Sequence, residues 1–171
     1  MHDSIRPARY MLRACPDDFL ETAHHGWNLE ARLPVSALRA FDLVTTRARE
    51  WFPGSQGIRW SSRGPGPGAQ REYCLSYMRV VERFTVWEPG RHLRIWISSA
   101  SLPLLERYCE DYRFLDRSPS DTLVVWRVRY EPRRNLRPLR PLLSPLFARD
   151  FRLAARRLEA IAAKDRSAGT S

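Results

Sequence analysis

The sequence predicts an α+β fold in which a curved antiparallel sheet of six to seven strands wraps around one long C-terminal helix, with two short helices after the first strand. Three observations lead there. From Ala69 to Glu131 the chain reads almost entirely as strand, in runs of alternating apolar and polar residues separated only by short turns. Residues 139 to 164, LRPLLSPLFARDFRLAARRLEAIAAK, place Leu143, Phe147, Phe151, Ala154, Leu158 and Ile161 on one helical face at steps of three and four, with Arg149, Arg152 and Arg156 opposite. A helix so long and so apolar on one side needs a broad partner surface, and the strands before it supply one.

The size and composition fit a single domain. At 171 residues with 43% apolar and 11% aromatic content, the chain can bury a core and still enclose a pocket. We expect a lead-in segment over residues 1–24, the domain over 25–164 and a flexible tail over 165–171. No window holds the roughly eighteen consecutive apolar residues of a spanning helix, and the first residues lack a basic-then-apolar signal pattern. The expectation is a soluble, cytoplasmic monomer or homodimer. Cys15, Cys74 and Cys109 are odd in number and lack C-x-x-C spacing, so neither a disulfide framework nor a metal site is indicated.

The formal net charge is +10. Of the 29 Lys and Arg residues only Lys164 is a lysine, and the arginines are spread from Arg6 to Arg166 instead of forming a designed patch, which argues against a specific nucleic-acid partner. The densest group is Arg133, Arg134, Arg137 and Arg140, followed by the outer face of the last helix. That charge reads as solvated surface, with an acidic partner or an anionic membrane surface as the alternative use.

In chain order, Pro7 and Pro16 interrupt the lead-in, and DDFLETAHH has the pattern of a short helical turn begun by Asp17 or Asp18. His24 and His25 are adjacent, so in an extended chain they point to opposite faces and do not share a metal. Trp27, Leu29, Ala31 and Leu33 alternate with polar residues as in a half-buried strand, which Pro34 ends. PVSALRAFDLV and TTRAREWF follow with helical spacing, Leu38, Phe41 and Val44 on one side, and Pro53-Gly54 closes the second piece. Residues 57–63 form a strand with Ile58 and Trp60 inward. GPGPG at 64–68 is a connector, since no helix with Lys-Ser/Thr follows it. Then come the strands REYCLSYM, VVERFTVWE, RHLRIWISS, LERYCEDYRFL and TLVVWRVRYE, an antiparallel meander. Pro145 predicts a break or kink in the final helix, with Ser144 as N-cap of the unbroken part.

This order, with PVSALRAFDLVTTRAREWFPG after the first strand, VVERFTVWEPGRHL in the middle, SDTLVVWRVRYEP near the end and the closing FARDFRLAARRLEAIA, resembles the helix-grip fold of the SRPBCC superfamily of START-like, polyketide cyclase-like and birch-pollen-allergen-like proteins. The resemblance covers roughly residues 25 to 164. Its motifs mark the fold and none is a catalytic signature. It implies a cavity between sheet and last helix that holds lipids, sterols or aromatic molecules, and needs no cofactor or metal.

The residues offer a lining for such a cavity. Trp126, Val128 and Tyr130 share one face of the last strand, and Tyr108, Glu110, Tyr112 and Phe114 share one face of the strand before it. Glu110 therefore sits among aromatics on the cavity side, where desolvation raises a carboxyl pKa unless a cation such as Arg71 pairs with it. It is the candidate general base. Glu82 shares a face with Val80, Phe84 and Val86 and raises the same question. Trp60, Tyr73, Tyr77, Glu82, Phe84, Trp96, Tyr108, Tyr112, Trp126, Tyr130, Phe147, Phe151, Ala154 and Leu158 are the candidate ligand contacts. His92 is a further polar-tipped aromatic.

Three functions compete. The first is binding of a hydrophobic, lipid-like or aromatic, small molecule between sheet and helix. The second, implied by the cyclase-like resemblance, is a cofactor-independent aromatase/cyclase, with Glu110 forming an enolate and Tyr and Arg holding the oxyanion during aldol cyclisation and dehydration. The third is an interaction protein acting through its basic surface.

Overall fold

The computed structural model describes residues 7–61 and 64–168, with the side chains of residues 137, 139–143 and 146 outside the description. The element order is β1 (Tyr10–Met11), α1 (Phe19–Thr22), β2 (Gly26–Leu33), α2 (Ala37–Thr46), α3 (Ala48–Trp51), β3 (Ser55–Trp60), β4 (Gln70–Leu75), β5 (Arg79–Glu88), β6 (His92–Ala100), β7 (Leu105–Ser118), β8 (Asp121–Pro132), a 3₁₀ turn (Arg134–Leu139) and α4 (Arg140–Ala168). The main path of the sheet is β2-β8-β7-β6-β5-β4-β3, all antiparallel, and β1 adds to β6. The first and second long strands, β2 and β3, thus lie at opposite edges, and α2 and α3 are the connection between them.

Strand alternation decides which residues face α4. In β2, Ala31 and Leu33 are buried, and in β8 Thr122, Val124, Trp126, Val128 and Tyr130 are buried in strict alternation. On α4, Ala148, Phe151, Ala154, Ala155, Leu158 and Ala162 are buried, while Arg149, Arg152 and Arg156 are exposed. Small residues let the helix axis approach the sheet, and Phe151 and Leu158 fill what remains. Ser36 caps α2 as its position suggests, its hydroxyl accepting from the Arg39 N–H at 3.4 Å. On α2, however, Leu38 is 65% exposed, and Ala37, Ala40, Phe41, Leu43 and Val44 form the inner face.

Several expectations change. Pro145 does not interrupt the last helix: α4 begins at Arg140 and runs through it, so a single main-chain bond near its start is forgone. Ser144 is therefore inside the helix and its Oγ accepts from the Tyr130 hydroxyl at 3.3 Å. The helix also continues past residue 164 to Ala168, held by Asp165, which bonds both Arg47 and Arg39. The lead-in joins the fold through β1 and through Phe19 and Leu20, which pack on Cys109. The β4 strand ends at Leu75, so Tyr77 lies in the turn before β5 and not on the strand. Leu143, Arg137 and Arg140, expected on the apolar face and in the basic group, fall among the side chains outside the description.

Among the described residues no helix is long and apolar enough to cross a membrane.

Candidate functional site

Between the sheet, α3 and α4 runs a narrow cleft that leaves about 60 Å³ for the centres of water-sized molecules. Its walls are aromatic. Trp27 stacks on Phe151 at 5.2 Å and on Tyr130 at 5.1 Å, and Phe52 meets Phe151 edge-on at 5.5 Å. Phe147 and Tyr77 approach each other at 6.3 Å, and Tyr77 is 41% exposed. Ile95, Ile97, Val80 and Leu105 line the sheet side.

Two buried carboxylates reach the cleft, and their surroundings differ. Glu82 on β5 accepts from Arg71 Nε at 2.5 Å, and Arg71 Nη1 donates to the Thr45 carbonyl at 2.8 Å. Burial works against the Arg71 charge, and Glu82 more than offsets it. The same guanidinium lies 5.1 to 5.3 Å from the ring centres of Phe84, Trp60 and Tyr73. Tyr73 in turn donates to the Ala48 carbonyl at 3.1 Å, and burial raises its pKa.

Among the described residues no cation pairs with Glu110 on β7. It accepts from the Tyr108 hydroxyl at 2.5 Å, from the Tyr112 hydroxyl, and from Trp126 Nε1 at 3.0 Å. Three neutral donors therefore hold its charge. Strand geometry supplies two of them, because residues 108, 110 and 112 share one face of β7, and the third comes from β8, where Trp126 pairs in register with Tyr112. Burial pushes the Glu110 carboxyl up to about 6, the three hydrogen bonds pull it down, and nearby Glu82 adds to the rise. Burial and the Glu110 charge also raise both tyrosines well above their ordinary value.

Of the candidate contacts, Tyr73, Tyr77, Glu82, Tyr108, Glu110, Tyr112, Tyr130, Phe147 and Phe151 line the cleft. Trp126 sits just behind it, stacked on Tyr112 at 5.0 Å. Ala154 and Leu158 are fully buried in the core under α4 and do not reach the cleft. Trp60 and Phe84 pack on each other at 5.1 Å, behind Arg71. Trp96 belongs to the opposite face of the sheet, since the buried set on β6 is Leu93, Ile95 and Ile97, and it lies 6.0 Å beneath Arg83. His92 is likewise remote, with Nε2 2.7 Å from Asp111 Oδ1. The alternative in which Arg71 pairs with Glu110 is not formed, since Arg71 pairs with Glu82.

The sequence reading passed over Trp27, Trp51, Phe52, Met78 and Leu105, all of which line the cleft. Trp51 and Phe52 carried a signal, two aromatics closing a helix just before Pro53-Gly54. Among the described residues no group of three or more His, Cys, Asp or Glu side chains could hold a metal ion.

No family model matches the sequence, and no curated protein matches it. The fold does have solved neighbours. A START superfamily protein from Mycobacterium smegmatis superposes with a TM-score of 0.67 at 12% identity, over 82% of this chain and 98% of the other. The Zhui aromatase/cyclase from Streptomyces also gives 0.67 at 12% identity, over 82% and 95%. Ara h 8.0201 gives 0.65 at 15% identity, over 82% and 98%. The chain therefore has the helix-grip fold that its motifs resembled.

Proposed function

We propose that this helix-grip domain binds a hydrophobic small molecule, aromatic or lipid-like, in the cleft between sheet and α4. One observation carries the reading: the cleft is walled by Trp27, Trp51, Phe52, Tyr73, Phe147 and Phe151 yet contains the Glu110 carboxylate, held by three neutral donors. A wall of that kind excludes water from whatever it encloses, and a few polar groups within it orient a ligand. The START-like and cyclase-like names of the structural neighbours agree with such a use.

Native mass spectrometry of the purified protein tests it, through a co-purifying small molecule released on mild activation. Nile red supplies a second measurement. The dye is expected to brighten with the wild-type protein and not with Ala48→Leu, which narrows the cleft beside Trp51. A wild-type protein that holds no small molecule and leaves the dye dark overturns the proposal.

A second reading, a cofactor-independent cyclase or dehydratase, is supported by the Glu110 carboxyl being pushed up to about 6, where it can take and return a proton near neutrality. Both carboxylate oxygens already accept hydrogen bonds, so the proton would pass through Tyr108 or Tyr112. Glu110→Gln that abolishes turnover of an aromatic polyketide analogue while retaining binding supports it. A basic-surface role through the exposed Arg152 and Arg156 predicts salt-sensitive association with anionic vesicles that charge reversal removes.

A further inference from the structure

Around Glu110 the hydrogen-bond inventory of the cleft is lopsided, while elsewhere in the lining the Tyr130 hydroxyl donates to Ser144 Oγ at 3.3 Å and Tyr77 is 41% exposed. The phenol protons of Tyr108 and Tyr112 go to Glu110, and that of Tyr73 goes to the Ala48 carbonyl. The indole N–H of Trp126 goes to Glu110 and that of Trp51 to the Leu43 carbonyl. Arg71, the cation among the described lining residues, is directed at Glu82 and the Thr45 carbonyl, and its charge is matched by Glu82. Each phenol oxygen still has accepting capacity after donating its proton. What Tyr108 and Tyr112 retain for a visitor is therefore acceptors, backed by a buried negative charge.

We infer that the cleft selects neutral apolar molecules that present a hydroxyl group, such as phenols and long-chain or alicyclic alcohols, and rejects carboxylates such as fatty acids. The inference rests on the pocket reading above and names its ligand class. A ligand hydroxyl donates to the oxygen of Tyr108 or Tyr112, extending the chain from ligand through phenol to Glu110, and such chains strengthen one another. An ether or ketone of the same shape finds those tyrosine protons already committed. A ligand carboxylate would be placed beside the uncompensated Glu110, with Arg71 already neutralised. An ammonium would donate too, but it must shed its hydration to enter an aromatic cleft.

The experiment is isothermal titration calorimetry of the purified protein at neutral pH with three slim probes of one shape: para-propylphenol, para-propylanisole and para-propylbenzoate. The phenol is expected to bind about tenfold or more tighter than the ether, the size of one hydrogen bond into a charged network, and the benzoate weakest of the three. In Glu110→Gln the amide donates to one tyrosine and turns that tyrosine's own proton towards the cleft, so the ratio of phenol to ether affinity falls towards one. Tyr108→Phe and Tyr112→Phe, read the same way, serve if Glu110→Gln does not fold.

Equal affinity for phenol and ether, tighter binding of the benzoate, or a ratio unmoved in the variants overturns the inference and leaves the pocket reading standing, since the probes still bind. If none of the three binds and Nile red stays dark, the pocket reading falls and takes the inference with it.

Discussion

Arg71 Nε lies 2.5 Å from Glu82 Oε2, and both side chains are all but closed to solvent, at 4% and 7% exposure. The pair is therefore a single neutral unit inside the sheet, and its halves are not separable. Arg71→Met leaves the Glu82 carboxylate buried without a cation, at a cost of about 3–5 kcal/mol. Adding Glu82→Leu to Arg71→Met is expected to recover most of that loss, because two apolar side chains replace two desolvated charges. Urea unfolding of both variants and of the wild type measures it, and a double variant no more stable than the single one contradicts the account.

The raised Glu110 carboxyl makes a prediction about pH. Its folded pKa is about 6, above the unfolded value of about 4.5, so the native state holds the proton more tightly. The contribution is stabilising below pH 4.5 and is lost as pH rises through 6. The loss amounts to about 2 kcal/mol. Glu82, Arg71, Tyr108, Tyr112 and Tyr73 are the titratable groups around it, and the guanidinium and phenols keep one charge state across that window. Denaturation of wild type and Glu110→Gln between pH 4 and 7 should show the variant gaining about 2 kcal/mol relative to wild type as pH increases.

How much of this was legible in the sequence depends on the length scale of the signal. The alternation of β7 and β8 placed Tyr108, Glu110, Tyr112 and Trp126 together, because period two survives wherever a strand is regular. It failed at β5, where the register shifts between Phe84 and Val86. The bulge turns Trp87 inward, against Phe84 at 5.2 Å and Phe41 at 5.2 Å, where simple alternation had placed Val86. On β6, parity alone was available to assign Trp96, and apolar character was a poor guide because an indole on the outer face can shelter under an arginine. The choice between Glu82 and Glu110 as partner of Arg71 was not legible at all. It follows from cross-strand register, in which Arg71 stands opposite Glu82, and no local pattern encodes register.

Asp111 is fully buried on the outer side of the sheet, with His92, Arg94 and Arg127 within hydrogen-bonding distance. Burial pushes its carboxyl up, and the histidine and arginines together hold it below the ordinary range. Its stabilising effect is therefore present above the unfolded pKa of about 4 and is lost as pH falls further. Asp111→Asn keeps the shape and removes the charge, and is expected to cost about 1–3 kcal/mol at neutral pH, since the surrounding arginines can turn to water. The deficit should shrink on acidification below pH 4, which thermal unfolding across that range would register.

Phe151, with Phe147, brings α4 to the cleft, and the ring centres of Trp27, Trp126 and Phe52 lie 5.2, 5.2 and 5.5 Å from its own. It is 5% exposed, so Phe151→Ala removes a buried ring from between three aromatic neighbours and should cost about 3–5 kcal/mol. The vacated space is lined by rings and continuous with the cleft, so it stays apolar and offers room for a ring from solution. Toluene is therefore expected to raise the melting temperature of Phe151→Ala by several degrees more than that of wild type, by mass action on a site that only the folded state provides. An equal response in the two proteins would mean that α4 settles onto the sheet when the ring is removed, and that Phe151 does not set the width of the cleft.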